Sequence, residues 1–340
     1  MKTIDLTDKR VIISRTDSIG DVILTLPICK WIKDQFPTCQ IIFLGKKYTV
    51  PILKSYRAID EICVWDDFES LPTVQKLSKL RDLNADTIIH VFPNKEIAVL
   101  AKKVKIPNRI GTSHRSFHLL TCNHRLNFTR KSSPLHESQL NFELLKPFGL
   151  KTIPSLDEVK EATQLFQPQI DKLPDAVQKF IDQHPNFVIL HPKSQGSALE
   201  WPIEKYVELT KQLTKQGIAV VFTGTEKEGV QFRGYLPSTP TCFDSSGLMT
   251  LDELIYFISL SKGLVACSTG PLHIAGILGV KCVGLYSNRK PIHPGRWMPI
   301  GKNAKAMVYD ENCPTCSKTA HCKCIEQIAP SLVLEQLLNE

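Results

Sequence analysis

Val11-Ile12-Ile13-Ser14-Arg15 runs directly into Thr16-Asp17-Ser18-Ile19-Gly20-Asp21, and Leu264-Val265-Ala266-Cys267 runs into Ser268-Thr269-Gly270-Pro271-Leu272-His273. Each is a short apolar run of β type that meets small residues and then a helix-like pattern. Such a junction turns free backbone N–H groups toward an anion. One junction lies in each half of the chain, which implies a ligand held between two domains.

Around these junctions, apolar strand-like runs alternate with amphipathic helical segments, the habit of doubly wound α/β domains with parallel sheets. Strands are expected at 11–15, 40–44, 62–65, 87–92 and 109–111, then at 187–191, 218–223, 241–243, 264–267 and 281–286. Helices are expected at 202–216, 226–234, 250–260 and 271–278, and over Val22 to Phe36, where Pro27 removes one hydrogen bond and kinks the helix. A Pro-bearing stretch from Lys151 to Pro174 separates the two series. We therefore expect an N-terminal domain over 1–165 and a C-terminal domain over 166–340. Ligands of such sheets bind beyond the carboxyl ends of the strands, where both junctions fall.

The chain has 340 residues, 42% of them hydrophobic and 22% charged, long enough for two cores. No stretch approaches the roughly 18–20 apolar residues of a membrane span, and Met1-Lys2-Thr3-Ile4-Asp5 opens no signal-peptide pattern. A cytoplasmic location is expected. The net charge of +8 is unevenly spread. Between Ile97 and His136 there is no acidic residue, against Lys102, Lys103, Lys105, Arg109, Arg115, Arg125, Arg130 and Lys131. His114, His118, His124 and His136 share the segment. Such a patch suits phosphates, acidic sugars or an anionic membrane surface, and equally a solvated face without a partner. Nucleic acid is disfavoured, since no zinc-finger spacing or RNP-like motif occurs.

Three elements carry candidate chemistry. Gly20 permits close approach of a ligand, and Asp21 in a first helical turn either complements the helix dipole or serves as a general base. In the second junction Ser268 and Thr269 cap a helix, Gly270 lets backbone approach a phosphate, and His273 follows in the first turn. The third element is His191-Pro192-Lys193-Ser194-Gln195-Gly196-Ser197 at a strand's carboxyl end. It is either an exposed turn or a phosphate-neutralising loop built on Lys193.

In this order the pieces form a recognisable set. The stretch Ile13 to Pro27 resembles the N-terminal signature of the heptosyltransferases of glycosyltransferase family 9. The resemblance continues through Arg109-Ile110-Gly111, His136-Glu137, His191-Pro192, Trp201-Pro202, Phe222-Thr223-Gly224, Met249-Thr250-Leu251, Ser268 to His273 and the Cys-containing tail. It implies a GT-B architecture, two Rossmann-like domains with parallel sheets facing across a cleft. It also implies inverting, metal-independent transfer of a heptose or related sugar from a nucleotide-diphosphate donor, ADP-heptose first, to a lipopolysaccharide core or related surface glycan at the inner face of the cytoplasmic membrane.

Carried onto this chain, the resemblance makes Asp21 the base, with Ser18, Gly20, Arg109, Arg115 and His118 toward a lipid-linked acidic or phosphorylated acceptor. Lys193, Ser194, Ser268, Thr269, Gly270 and His273 would hold the diphosphate. Met249, Gly224, Glu226 and Glu228 would hold the nucleoside. No Asp-x-Asp motif is present to hold a catalytic metal, so charge stabilisation falls to helix termini and cations. The chain departs from the family pattern at Ser268, where most members have Asp, and at Leu199, where many have Lys. Both changes touch donor binding. Two other readings therefore stay open: a GT-B-like sugar-nucleotide epimerase or hydrolase, and a non-catalytic nucleotide-sugar-binding homologue.

Eleven cysteines remain. Cys313-x-x-Cys316 and Cys322-x-Cys324, beside His321, offer four soft ligands for a structural zinc, although the spacing is irregular for a zinc finger. Free thiols or a redox-sensitive bridge are the alternatives.

Overall fold

The computed structural model describes residues 3–130, 133–316 and 322–339. Two compact units meet in sequence between Gln167 and Pro168. Each is built on one fully parallel sheet of six strands.

In the N-terminal unit the strands are β1 (Arg10–Ser14), β2 (Gln40–Gly45), β3 (Glu61–Val64), β4 (Thr87–His90), β5 (Asn108–Thr112) and β6 (His124–Leu126), in the order β3-β2-β1-β4-β5-β6. The C-terminal unit has β7 (Phe187–His191), β8 (Ala219–Phe222), β9 (Cys242–Asp244), β10 (Gly263–Cys267), β11 (Cys282–Tyr286) and β12 (Ala304–Val308), ordered β12-β11-β10-β7-β8-β9. Taken from the β9 edge, the second sheet repeats the winding of the first. The chain starts in the middle, moves out two strands, returns to the other side of its first strand and moves out again. The central strands are buried along their whole length, so they read as continuous apolar runs with no alternation.

β6 and β12 lie outside the expected strand set for a common reason. β6 has three residues, none fully buried, and every residue of β12 is half-buried, as edge strands allow. Neither carries the apolar run that marks the interior strands.

The expected kinked helix over Val22 to Phe36 is instead two helices, Ile19–Ile23 and Leu26–Gln35. Pro27 occupies the second position of the latter, where its missing N–H has no intrahelical acceptor to lose. The first helix is thereby a single short turn that carries Ser18 to Asp21 at the end of β1.

Apolar helix faces complete the cores. Leu80, Ile97, Leu100 and Ala101 pack with Ile12, Ile42 and Ile88 of the first sheet. In the second, Tyr206, Leu209 and Leu213 of the helix Ile203–Lys215 meet Val333 and Leu337 of the helix Pro330–Leu338 over Val188 and Val220. No helix among the described residues is long and apolar enough to cross a membrane.

Gly111, at the centre of Arg109-Ile110-Gly111, shows why that position stays small. A Cβ there would lie 2.6 Å from His118 Nδ1 and 2.9 Å from Cys122 Sγ. Gly111→Ala is expected to destabilise the N-terminal unit by about 1–3 kcal/mol through overpacking. At about 2–4 °C per kcal/mol for a unit of this size, the loss is readable by thermal melting, and an unchanged melting temperature would contradict the packing.

Candidate active site

β1 delivers Arg15 to a buried position at the sheet's centre, and the chain assembles acid groups around it. Arg15 Nε donates to Asp17 Oδ1 at 2.7 Å and Nη1 to Glu137 Oε1 at 3.3 Å, while Nη2 donates to Asp21 Oδ1. The other oxygen of Asp21 accepts from the Ser18 hydroxyl. Glu137 is shared, because Arg130 Nε reaches the same oxygen at 2.8 Å. Arg130 Nη2 donates to Asn141 Oδ1 at 2.9 Å and to Val91 O at 3.2 Å. Val91 and Phe92, just past β4, donate their N–H groups to Ser14 O at 3.1 Å. The loops leaving β1 and β4 and the helix Glu137–Phe142 are thus joined through two guanidinium groups.

Accessibility sorts these groups by role. The Arg15 side chain is 3% exposed and that of Glu137 is 0% exposed, whereas Asp21 keeps 18% and Asp17 22% of the side chain open. Burial alone would lower the Arg15 pKa, yet the charges of Asp17, Asp21 and Glu137 raise it above its ordinary value. Partial burial pushes Asp17 up to about 6 against the pull of Arg15, with repulsion from Asp21 adding to the rise. The site therefore presents two partly open carboxylates, of which Asp21 is fixed at both oxygens.

The expected acceptor residues divide. Gly20 is buried within the first helical turn, and Ser18 precedes that turn with its hydroxyl on Asp21. Arg115 is exposed at the start of the helix Ser116–Thr121. Arg109 is internally committed, donating Nε to Thr121 O at 2.7 Å and Nη1 to Ile106 O. His118 is a correction: it is fully buried, holds Thr112 O from Nδ1 at 3.1 Å, and has its pKa lowered by burial. A side chain sealed in the core meets no acceptor. Lys131 lies outside the described residues.

In the C-terminal unit the helix Gly270–Ile277 begins directly after β10. Its first closing bond runs from His273 N to Thr269 O at 3.3 Å, and Pro271 has no N–H, so Gly270 and Leu272 supply the donors of the open turn. Thr269 precedes the helix without capping it, and its hydroxyl is buried with no hydrogen-bond partner in the protein. A buried hydroxyl beside N–H groups at a helix start is an arrangement that suits an anion. His273 is buried in the same first turn. Ser268 is half-buried directly after β10, and the Tyr286 hydroxyl donates to Trp297 O at 2.8 Å.

The loop after β7 lies alongside. Trp201 N donates to Cys267 Sγ at 3.4 Å, and the Tyr206 hydroxyl donates to His191 O at 3.5 Å. His191 Nδ1 pairs with Thr223 Oγ1 at 3.0 Å, and burial keeps its pKa below the ordinary value. Lys193 departs from the expectation of an available cation. Its ammonium is paired with Glu200, whose other oxygen takes Ser194 N at 2.8 Å and Ser194 Oγ at 3.0 Å. Glu200 was not among the sequence candidates, and its position next to Leu199 was the only signal.

The expected nucleoside residues also carry local duties. Glu228 Oε2 accepts from Thr225 N at 2.7 Å and from Thr225 Oγ1 at 2.9 Å, closing a capping box for the helix Glu226–Phe232. Glu226 is exposed and paired with Arg233 through two contacts of 3.0 Å. Gly224 accepts from Gly247 N at 2.9 Å. Met249 is half-buried, beside the capping residue Thr250.

Cys313, Cys316, Cys322 and Cys324 come together, their sulfurs all within 4.8 Å of one another. His321 lies outside the described residues.

Two doubly wound units, one with an accessible fixed carboxylate and the other with an open anion-accepting helix start, define a glycosyltransferase of GT-B type. The sequence profile described as "Glycosyltransferase family 9 (heptosyltransferase)" matches residues 75–326, and the chain belongs to that family. It is 23% identical over 91% of its length to a putative glycosyltransferase of Haemophilus influenzae, covering 90% of that protein. It is 24% identical to lipooligosaccharide heptosyltransferase 2 of the same organism, over 80% of this chain and 82% of the relative. Among solved structures, the glycosyl transferase family 9 protein of Veillonella parvula superposes with a TM-score of 0.79 at 21% identity, covering 100% of both chains. The Escherichia coli heptosyltransferase WaaC with ADP gives 0.70 at 18% identity, covering 96% of this chain and 98% of that one.

The raised pKa of Asp17 makes stability pH-dependent. The folded chain holds a proton that the unfolded chain releases between the ordinary value of 3.8 and about 6. That contribution is full at acid pH below 3.8 and is lost as pH rises to about 6. Asp17→Asn removes it, so the melting temperature of the parent should fall relative to the variant between about pH 4 and about pH 6. A gap between the two proteins that stays constant over this range contradicts the assignment.

Proposed function

We propose that the chain is an inverting glycosyltransferase that moves a heptose or related sugar from a nucleoside-diphosphate donor, ADP-heptose first, to a lipopolysaccharide core or related surface glycan. The fixed, accessible carboxylate of Asp21 carries this reading. Asp21 takes the proton from an acceptor hydroxyl while that oxygen attacks the anomeric carbon. The new C–O bond forms on the face opposite the departing nucleoside diphosphate, whose bond to the sugar breaks with its electron pair, and the anomeric centre inverts. Charge on the diphosphate is received by the Gly270 and Leu272 N–H groups, the Thr269 hydroxyl and His273. No step requires a divalent ion.

Support for the donor assignment is chemical. The open helix turn accepts an anion, and relatives named for heptosyl transfer include one solved with ADP. The basic segment that includes exposed Arg115 is assigned to an acidic or phosphorylated lipid-linked acceptor, with peripheral contact at the inner membrane surface. Tyr48 donates to Asp17 O at 2.7 Å and is assigned to holding the Asp17–Asp21 turn while the acceptor binds.

A thermal-shift panel of ADP-, GDP- and UDP-sugars should give its largest stabilisation with the ADP-sugar, since bound ligand raises stability by mass action. Asp21→Ala is expected to reduce transfer by about 10²- to 10⁴-fold while calorimetric affinity for the nucleotide stays unchanged. Undiminished turnover rejects Asp21 as the base, and product formed from donor alone, without acceptor, rejects transfer. Thr269→Val should weaken nucleoside diphosphate binding by about tenfold, the worth of one hydrogen bond to a charged group. Unchanged affinity takes Thr269 out of the site.

A further inference from the structure

The four tail cysteines are placed as a ligand set. Cys313 Sγ and Cys322 Sγ are 3.6 Å apart, and Cys316 Sγ and Cys322 Sγ are 3.3 Å apart. A tetrahedron with metal–sulfur arms of about 2.3 Å has edges of about 3.8 Å, so four thiolates can close on one ion with movements of a few tenths of an ångström. Three of the four are buried, and none is in a disulfide. Burying four thiols against one another, with few apolar neighbours, forms no efficient core by itself.

From this geometry we infer a structural zinc centre with Cys313, Cys316, Cys322 and Cys324 as its four ligands. A four-thiolate tetrahedral set selects zinc or iron, and no step of the proposed transfer moves an electron, which favours the redox-inert ion.

The centre ties together three parts of the C-terminal unit. Asn288, two residues past β11, donates its side-chain amide to Glu311 O, two residues before Cys313. On the other side, Cys324 leads into Ile325 and Ile328, which are buried in the core. Ile328 O takes Trp201 Nε1 at 3.1 Å and Lys205 Nζ at 3.0 Å. Trp201 closes the loop that follows β7. The ion thus clamps the tail to the segments that leave β7 and β11, on either side of the β10 helix start. Coupling from the metal to nucleotide affinity rests on the donor-site reading above, whereas the metal and its structural effect do not.

Full-length protein purified under reducing conditions without added metal should contain about one zinc per chain by elemental analysis. Growth in cobalt-supplemented medium should yield a coloured protein with the absorption of tetrahedral thiolate-bound Co(II), which is read on the unmutated chain and so does not depend on a variant folding. Cys313→Ser should lower zinc content, and hydrogen exchange at 287–297 and 325–328 should accelerate in the metal-depleted protein. Iron at stoichiometry overturns the zinc assignment. Four tail thiols that all react with an alkylating reagent in native, metal-free protein overturn the centre. None of these measurements involves a sugar nucleotide, so their failure is distinct from failure of the transferase reading.

Discussion

A parallel sheet wound outward from its middle has to part its connections at one place. After β1 and after β4 the chain leaves toward different neighbours, and the same happens after β7 and β10. The carboxyl ends of these two adjacent strands then border a crevice that no crossover covers. The Asp21, Lys193 and Thr269 groups follow from this constraint: Arg15 to Asp21 leave β1, Val91 leaves β4, His191 to Glu200 leave β7, and Ser268 to His273 leave β10, whereas Gly224 and Glu226 follow β8 and Met249 follows β9. The remaining sheet and helices act as the scaffold that holds these four exits still.

Within the N-terminal unit the crevice is governed by one charge. A buried guanidinium is tolerated only when its donors are matched, and Arg15 is matched by three carboxylates. Because Glu137 also serves Arg130, the network reaches from β1 to the β4 exit, and the two buried charges, Arg15 and Glu137, each keep a partner when one is lost. Asp21 is a partly open member of the network held at both oxygens, so the arrangement that stabilises the fold also orients the proposed base. A carboxylate on a five-residue helix could not be held as firmly by that helix alone.

Much of this was legible in the residues. Interior strands such as Phe187–His191 announce themselves because burial on both faces demands an unbroken apolar run. Edge strands β6 and β12 do not, since half-burial relaxes that demand. Pro27 was visible, but whether it kinks a helix or starts one depends on whether the preceding turn ends at Leu24, which no local pattern states. In the site, the Asp21 and Thr269 junctions were readable as motifs. The commitments of Glu228 to a cap, of Lys193 to Glu200 and of His118 to the core were not, because each depends on a partner chosen by tertiary geometry. Arg15 stood in the quoted stretch without a role, although a cation closing an apolar strand is itself a sign of a buried charge network.

The two departures at Ser268 and Leu199 take on a common meaning beside the structure. Where a carboxylate is usual, Ser268 places a neutral hydroxyl directly after β10. Lys193, the nearest cation to Leu199 in sequence, is neutralised by Glu200. On the proposed reading, Ser268 brings no carboxylate to the donor side and the loop cation is engaged, so the diphosphate would be met chiefly by neutral dipoles: the Gly270 and Leu272 N–H groups and the Thr269 hydroxyl. Neutral, preorganised dipoles in a partly buried turn stabilise a departing anion without the desolvation that a bare ammonium would suffer. On that reading the changed positions re-weight the grip on the leaving group from charge to geometry, and the turn that opens the helix Gly270–Ile277 becomes the part of the donor side whose rigidity matters most.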